Sequence, residues 1–229
     1  MAHNKNYNYS SGAASSVPFA VIEAYKQIRT NILFSLSHNK GKIIAVTSSI
    51  PYEGKSTCAV NMAISFSQLG GKILLIDGDL RRPSVYRKLK LKNANGLSSY
   101  LGEFCSKEET ITHINDNLDV LLSGPIPPNP SELLGSVRMK ELLEELSREY
   151  DFIIIDTPPI NVVTDTMILI QYTDGVVLVA RNKVSTHELF QKAVDNIEVT
   201  NVKLLGVIIN DSSRNIAKYK YKRYKRYQY

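Results

Sequence analysis

Pro51-Tyr52-Glu53-Gly54-Lys55-Ser56-Thr57 brings one amine, two aliphatic hydroxyls and a glycine together at a spacing suited to gripping phosphate. The segment follows a short apolar run, Lys42–Thr47 (KIIAVT), and precedes a helical pattern from about Ser56 to Gln68. In such a loop consecutive backbone N–H groups wrap phosphate oxygens, and the helix start adds a favourable dipole. Lys55 is expected at the β- and γ-phosphates, and the Ser56 hydroxyl at a Mg²⁺ ion. Glu53, Gly54 and Thr57 complete the expected nucleotide-binding loop. The first glycine of the general G-x-x-x-x-G-K-[ST] pattern falls at Ser49, so the loop is divergent.

Two acidic elements follow in order. Leu74–Arg81 (LLIDGDLR) places Asp77 and Asp79 at i and i+2, at the end of an apolar run. Ile153–Pro159 (IIIDTPP) ends a second apolar run in Asp156, directly before a Pro-Pro turn. In a parallel sheet the C-terminal strand ends face the ligand crevice. Carboxylates there are costly unless cations compensate, and Lys55 with Mg²⁺ would supply that compensation. Asp156 has the pattern of a residue that holds Mg²⁺ through its water shell. Taken alone, Asp-Gly-Asp also fits a solvated turn.

The elements that must position these groups can be read from periodicity. Val21, Ile22, Tyr25, Ile28, Ile32, Leu33 and Leu36 predict a helix over Phe19–Leu36. Strands are predicted at Lys42–Thr47, Lys72–Asp77, Leu118–Leu122, Phe152–Asp156, Gly175–Ala180 and Lys203–Asn210. Helices are predicted at 56–68, Glu132–Glu149, Asp165–Gln171 and 185–199, with short ones near 84–90, 97–103 and 107–113. Short continuous apolar strands alternating with helices predict an α/β fold: a parallel sheet covered by helices on both faces. There is no internal repeat. The length of 229 residues suits one such domain over 18–211, with a disordered leader over 1–17 and a mobile tail over 212–229.

The last eleven residues hold five of the thirteen tyrosines: Tyr219, Tyr221, Tyr224, Tyr227 and Tyr229. They carry no apolar period and no acid, which predicts solvated chain. Accessible phenols beside a phosphate loop suggest a phosphoryl donor site and its acceptor on one polypeptide. Basic-aromatic segments also bind anionic membrane or nucleic acid. The overall charge of +6 comes from this tail, because residues 214–229 carry seven basic side chains and the remainder is near −1. A nearly neutral body argues against a nucleic-acid surface. Cys58 and Cys105 have no ligand spacing and read as reduced, buried thiols of a cytoplasmic protein. No apolar run approaches the ~18 residues of a membrane span, and the N-terminus lacks a signal-peptide pattern.

Taken together, the loop, LLIDGDLR and IIIDTPP resemble the Walker A, A′ and B motifs of bacterial tyrosine kinases of the capsule and exopolysaccharide type. Ser123–Leu134 (SGPIPPNPSELL) resembles that family's characteristic loop and helix start, and the tyrosine-rich end is similar too. The resemblance covers roughly 20–229 and implies a P-loop fold of the deviant-Walker kind, not a eukaryotic kinase fold. It implies ATP and Mg²⁺ as cofactors, with Ser56, Asp79 and Asp156 organising the metal. Asp77 would accept the proton of the incoming tyrosine hydroxyl. Arg81, as a catalytic residue, and Arg82 would lie beside the site and contact phosphate or acceptor, and Asn210 would recognise adenine. Autophosphorylation of the tail between subunits, in control of polysaccharide polymerisation and export, is implied. So are a membrane-embedded activator that recruits the protein to the inner face of the membrane, a cognate tyrosine phosphatase, and no nucleic acid. Glu23, Lys26 and Arg29 share one helix face and resemble an E-x-x-R-x-x-R ring-assembly element, an octamer being one expected size. Lys26 replaces an Arg there and cannot make bidentate carboxylate contacts. Tyr52 stands where the family usually has glycine.

Two other readings compete. Partition ATPases of the deviant-Walker group carry a lysine early in the loop, but none lies between Lys42 and Lys55. An ATP-gated adaptor without turnover is the other reading, kept open by Tyr52.

Overall fold

The computed structural model describes residues 18–36 and 42–211. The expected leader, the expected tail and its five tyrosines lie outside the described residues. In chain order the elements are α1 (Phe19–Ser35), β1 (Lys42–Ser48), α2 (Lys55–Ser67), β2 (Ile73–Asp77), α3 (Val85–Leu89), α4 (Leu97–Leu101), β3 (Ile111–Asn115), β4 (Leu118–Leu121), α5 (Pro130–Leu134), α6 (Val137–Glu149), β5 (Phe152–Asp156), α7 (Asp165–Ile170), β6 (Gly175–Arg181), α8 (His187–Glu198) and β7 (Leu204–Asn210).

The seven strands form one sheet in the order β3-β4-β2-β5-β1-β6-β7. All neighbours are parallel except β3 and β4. The strands read as unbroken apolar runs because alternate residues enter different cores. Ile44 and Val46 of β1, Ile73 and Leu75 of β2, and Ile154 of β5 join a cluster with α1, α2 and α3. Ile43, Leu74, Ile76, Ile153 and Ile155 face the opposite side, with α4 and α6. Ala45, Val176 and Leu178 pack on α8 on that side. The edge strand β7 is less covered, with Val207 and Ile209 exposed.

Packing fixes the helix that matters most for the site. Phe66 of α2 is fully buried, its ring 4.9 Å from that of Phe152 at the start of β5. Burying such a side chain contributes about 1.5–3 kcal/mol. It locks the far end of α2 onto the sheet and so fixes where its N-terminus meets β1.

Three expectations need correction. Residues 107–113 do not form a helix. The β-branched run Thr110-Ile111-Thr112 instead enters β3, which pairs antiparallel with β4. The intervening turn is closed by an Asn117 N–H donating to Asn115 Oδ1 at 3.0 Å. The helix expected over Glu132–Glu149 is two helices. Gly135 ends α5, and Ser136 caps α6 by accepting from the Met139 N–H at 3.2 Å; a capping hydroxyl of this kind favours a fresh start over continuation. Both cysteines are free, but only Cys58 is buried; Cys105 is half-buried.

Candidate active site

Strands β2, β5 and β1 lie side by side, and their C-terminal ends converge. Asp77 is paired in register with Asp156, and Asp156 with Val46 of β1, two residues before the strand leads into the phosphate loop. The register therefore sets the two aspartates beside each other at the mouth of the loop. Lys55, the first residue of α2, reaches across. Its Nζ lies 2.8 Å from Asp79 Oδ2, 3.4 Å from Asp156 Oδ1 and 3.3 Å from Ser56 Oγ. Lys55, Ser56, Asp79 and Asp156 are thus brought together as expected.

The acids are deeply buried. Burial works against the Lys55 charge, but Asp156 and then Asp79 outweigh it and hold the amine above its usual range. Burial raises Asp156 above the carboxylate range, against the pull of Lys55. Asp77 is pushed up to about 8, first by burial and then by Asp156 beside it. Its Oδ2 accepts from the Ser84 and Val85 N–H groups at 3.2 and 3.1 Å, and its Oδ1 from the Asp79 N–H at 3.3 Å. A buried group tuned towards neutral pH is suited to proton transfer.

The donor set fits Mg²⁺. Among the described residues, Asp156 Oδ2 is a buried side-chain oxygen without a hydrogen-bond partner. It lies in a cluster of hard oxygen donors, Ser56, Asp79 and Asp156. Magnesium keeps several waters and takes its remaining ligands from phosphate.

Glycine is required at position 54. Its φ is +97°, and an added Cβ would meet Asn210 Nδ2 at 2.1 Å. The Asn210 amide, expected to read adenine, is engaged here: its Nδ2 donates to the Glu53 carbonyl at 2.9 Å and its Oδ1 accepts the Asp211 N–H at 2.9 Å. The Glu53 carboxylate is fully buried and accepts from Ser49 Oγ and the Ile50 N–H, at 2.8 and 2.9 Å. Glu53 contributes loop shape through these bonds. Thr57 is exposed, and its hydroxyl accepts from Lys88 at 2.8 Å.

Arg81 is committed to a neighbour. Its Nε and Nη2 donate to the two oxygens of Asp165 at 2.8 and 3.0 Å, and Nη2 also donates to Ser131 Oγ at 2.9 Å. The Arg82 side chain is exposed, while its backbone N–H donates to Asp79 at 2.9 Å. On α1, Glu23 and Lys26 pair with each other at 2.8 Å on the surface. Arg29 points inward instead and donates to the Ser65 carbonyl of α2.

Residues 41–205 match the family model of an AAA domain. The chain is 47% identical over 189 residues to tyrosine-protein kinase YwqD of Bacillus subtilis, covering 82% of this chain and 80% of that one. The chain belongs to the bacterial tyrosine-kinase family. Solved structures agree. The chimerical protein CapA2B2 superposes with a TM-score of 0.80 at 40% identity, covering 84% of this chain and 85% of that one. The kinase domain of Escherichia coli tyrosine kinase ETK gives 0.78 at 32%, covering 84% and 77%.

Sequence reasoning missed several residues that this family member uses to hold its site. Asp165 is fully buried, and its Oδ1 accepts from Ser131 Oγ at 2.6 Å. Burial opposes its charge, but Arg81 and Ser131 outweigh that and keep it below the usual carboxylate range. Ser131 lies inside the recognised Ser123–Leu134 loop, which was the available signal. Asp165 offered only a carboxylate in the first turn of a short helix.

Tyr52 takes φ +68° and is 81% exposed, so the loop keeps its left-handed step with a non-glycine residue. That conformation costs an L-residue about 1–2 kcal/mol. Tyr52→Gly removes the strain but adds unfolded-state freedom of about 0.5–1 kcal/mol. Its unfolding free energy should stay within about 1 kcal/mol of wild type. Tyr52→Val places a β-branched residue in the same step and should lose about 1–2 kcal/mol. Denaturant melts of the two variants check the order; a Val variant as stable as Gly contradicts it.

Proposed function

We propose that this chain is an ATP-dependent protein-tyrosine kinase that phosphorylates its own C-terminal tyrosines between subunits and regulates capsular or exopolysaccharide polymerisation and export. The observation that carries this reading is Asp77. It is a buried carboxyl tuned towards neutral pH, set in register beside Asp156 and two residues from Asp79, at the mouth of a phosphate loop. Transfer to tyrosine needs a proton acceptor for the phenol, and Asp77 is suited to that role.

ATP with Mg²⁺ supplies the phosphoryl group and neutralises part of its charge; the loop N–H groups, Ser56, Asp79 and Asp156 would hold the pair. Lys55 keeps a positive charge where negative charge gathers on the transferring group. Asp77 accepts the phenolic proton as the phenol oxygen bonds to the γ-phosphorus and the bond to ADP breaks. The Arg81–Asp165–Ser131 cluster fixes the chain that follows Asp79.

The proposed acceptors are Tyr219, Tyr221, Tyr224, Tyr227 and Tyr229. The partners are a membrane-embedded polysaccharide co-polymerase that activates the kinase, a tyrosine phosphatase, and further copies of this chain in a ring. The location is the cytoplasm, with recruitment to the inner face of the membrane. No helix among the described residues is long and apolar enough to cross a membrane. Surface-paired Glu23 and Lys26 are the free part of the ring element, while Arg29 is held within its own subunit.

Incubation with ATP and Mg²⁺ followed by phosphosite mapping tests the activity. Label on the C-terminal tyrosines supports it. Release of free phosphate alone, or neither product, contradicts it. Transfer between subunits is tested by mixing an active chain truncated after residue 211 with full-length Lys55→Met. The inactive partner's tyrosines should become labelled; an unlabelled partner excludes transfer between subunits.

A further inference from the structure

The phosphate loop is held from one side of β1, while its acids come from the other. Asp77 and Asp156 arrive on β2 and β5; the holding groups arrive on β6 and β7. The central contact is a serine that the sequence did not single out. Strand β6 ends at Arg181, and a turn over 182–185 leads to Thr186, the cap of α8. Within that turn the Arg181 N–H donates to Ser185 Oγ at 2.7 Å, and the Ser185 N–H donates to the Arg181 carbonyl at 3.0 Å. This orients the Ser185 hydroxyl, which donates to Glu53 Oε1.

Glu53 passes the restraint into the loop. Its buried carboxylate also binds Ser49 Oγ and the Ile50 N–H, so one side chain ties residues 49, 50 and 53 to the β6 turn. Asn210 of β7 holds the Glu53 carbonyl, and Arg181 Nη1 donates to the Tyr52 carbonyl at 3.4 Å. The backbone just before Gly54 is therefore pinned at three points from outside the loop. Those pins determine where the N–H groups of residues 52–55 point. Without the Ser185 hydroxyl, Glu53 Oε1 keeps only the Ser49 Oγ contact at 3.0 Å, within the loop itself, and the tie from the carboxylate to the β6 turn is lost.

We infer that Ser185 is a positioning residue for the nucleotide, acting through Glu53 to pre-set the phosphate loop. The inference rests on the proposed nucleotide site but not on the identity of the phosphate acceptor. Because the loop grips ground state and transition state alike, the effect should appear in binding rather than in turnover.

The test uses the full chain with Mg²⁺·ATP and Mg²⁺·ADP as probes. Affinity is read by calorimetry, kcat and KM by phosphate transfer, and fold integrity by melting without nucleotide. Ser185→Ala should raise Kd and KM about five- to tenfold, with kcat within twofold. Ser185→Thr, which keeps the hydroxyl, should return Kd to within about twofold of wild type. Glu53→Gln should weaken binding too, and adding Ser185→Ala to it should cost little more, because both act on one contact. If Ser185→Ala fails to fold, Ser185→Cys, a weaker donor of similar shape, carries the comparison. Unchanged affinity in the Ala or Cys variant, or full additivity with Glu53→Gln, overturns the inference. If wild type binds Mg²⁺·ATP without labelling tyrosine, the kinase reading fails while the binding comparison still decides the role of Ser185.

Discussion

Lys55→Met should lower tyrosine phosphorylation by about 10²–10³-fold or more, and it should also change how the protein without nucleotide responds to pH. Methionine retains most of the stem and removes only the charge. That charge lies 2.8 Å from Asp79 and 3.4 Å from Asp156, in a site where the Lys55 side chain is only 12% exposed. Removing one member of a buried ion pair costs about 3–5 kcal/mol when the other charge is left behind. Here the loss has a ceiling, because Asp156 can bind a proton instead. Burial already raises Asp156, and Lys55 is the largest influence opposing it. Without Lys55 the folded-state affinity for that proton rises further, while the unfolded value stays near ~3.9. Between those values the folded state holds a proton that the unfolded state has released, so stability falls as pH rises. The stability deficit relative to wild type should thus widen as pH rises. Initial rates of phosphotyrosine formation and thermal melts across a pH series check both parts. A rate near wild type, or a deficit that grows on acidification, would contradict the role given to Lys55.

Much of this site was legible because its signals are local. Gly54 and Lys55 announce the loop, since the first must adopt positive φ and the second begins α2. Asp77 and Asp156 announce themselves by ending apolar runs, and parallel register then makes them neighbours. The buried strands were legible for the same reason: coverage on both faces removes the alternation that a half-exposed strand would show.

What was missed depends on distance in sequence. Ser185 is 132 residues from Glu53, and Asp165 is 84 from Arg81. No spacing rule joins such pairs; the chain reversals over the sheet do. The reading of residues 107–113 failed for a different reason. A short segment of mixed polarity has no decisive period, and only pairing with β4 selects the strand. Arg29 shows a further limit. It was placed on one helix face with Glu23 and Lys26, but it turns to the Ser65 carbonyl of α2, while those two pair with each other on the surface.

Asp77→Asn should separate chemistry from binding and, in the same protein, relieve a built-in instability. Asparagine has nearly the same shape and can still accept from the Ser84 and Val85 N–H groups that hold Asp77, so the start of α3 should survive. It cannot take the phenolic proton. Tyrosine phosphorylation should fall by about 10²–10⁴-fold, with affinity for Mg²⁺·ATP within about threefold of wild type. Wild-type kcat/KM should rise with pH as Asp77 ionises, and the residual activity of the variant should lose that dependence. Stability should move the other way. The folded-state value for Asp77 is about 8, against an unfolded value near ~3.9. Across that window the folded protein holds a proton the unfolded chain has given up, so wild type loses stability with each step towards pH 8. Asparagine does not titrate and escapes this loss. Melting without nucleotide should therefore show the variant gaining on wild type from pH 5 to pH 8, with a constant difference above it. Autophosphorylation at the wild-type rate would remove Asp77 from its role as proton acceptor. A stability difference independent of pH would show that the buried pair of Asp77 and Asp156 does not carry the proton assigned to it.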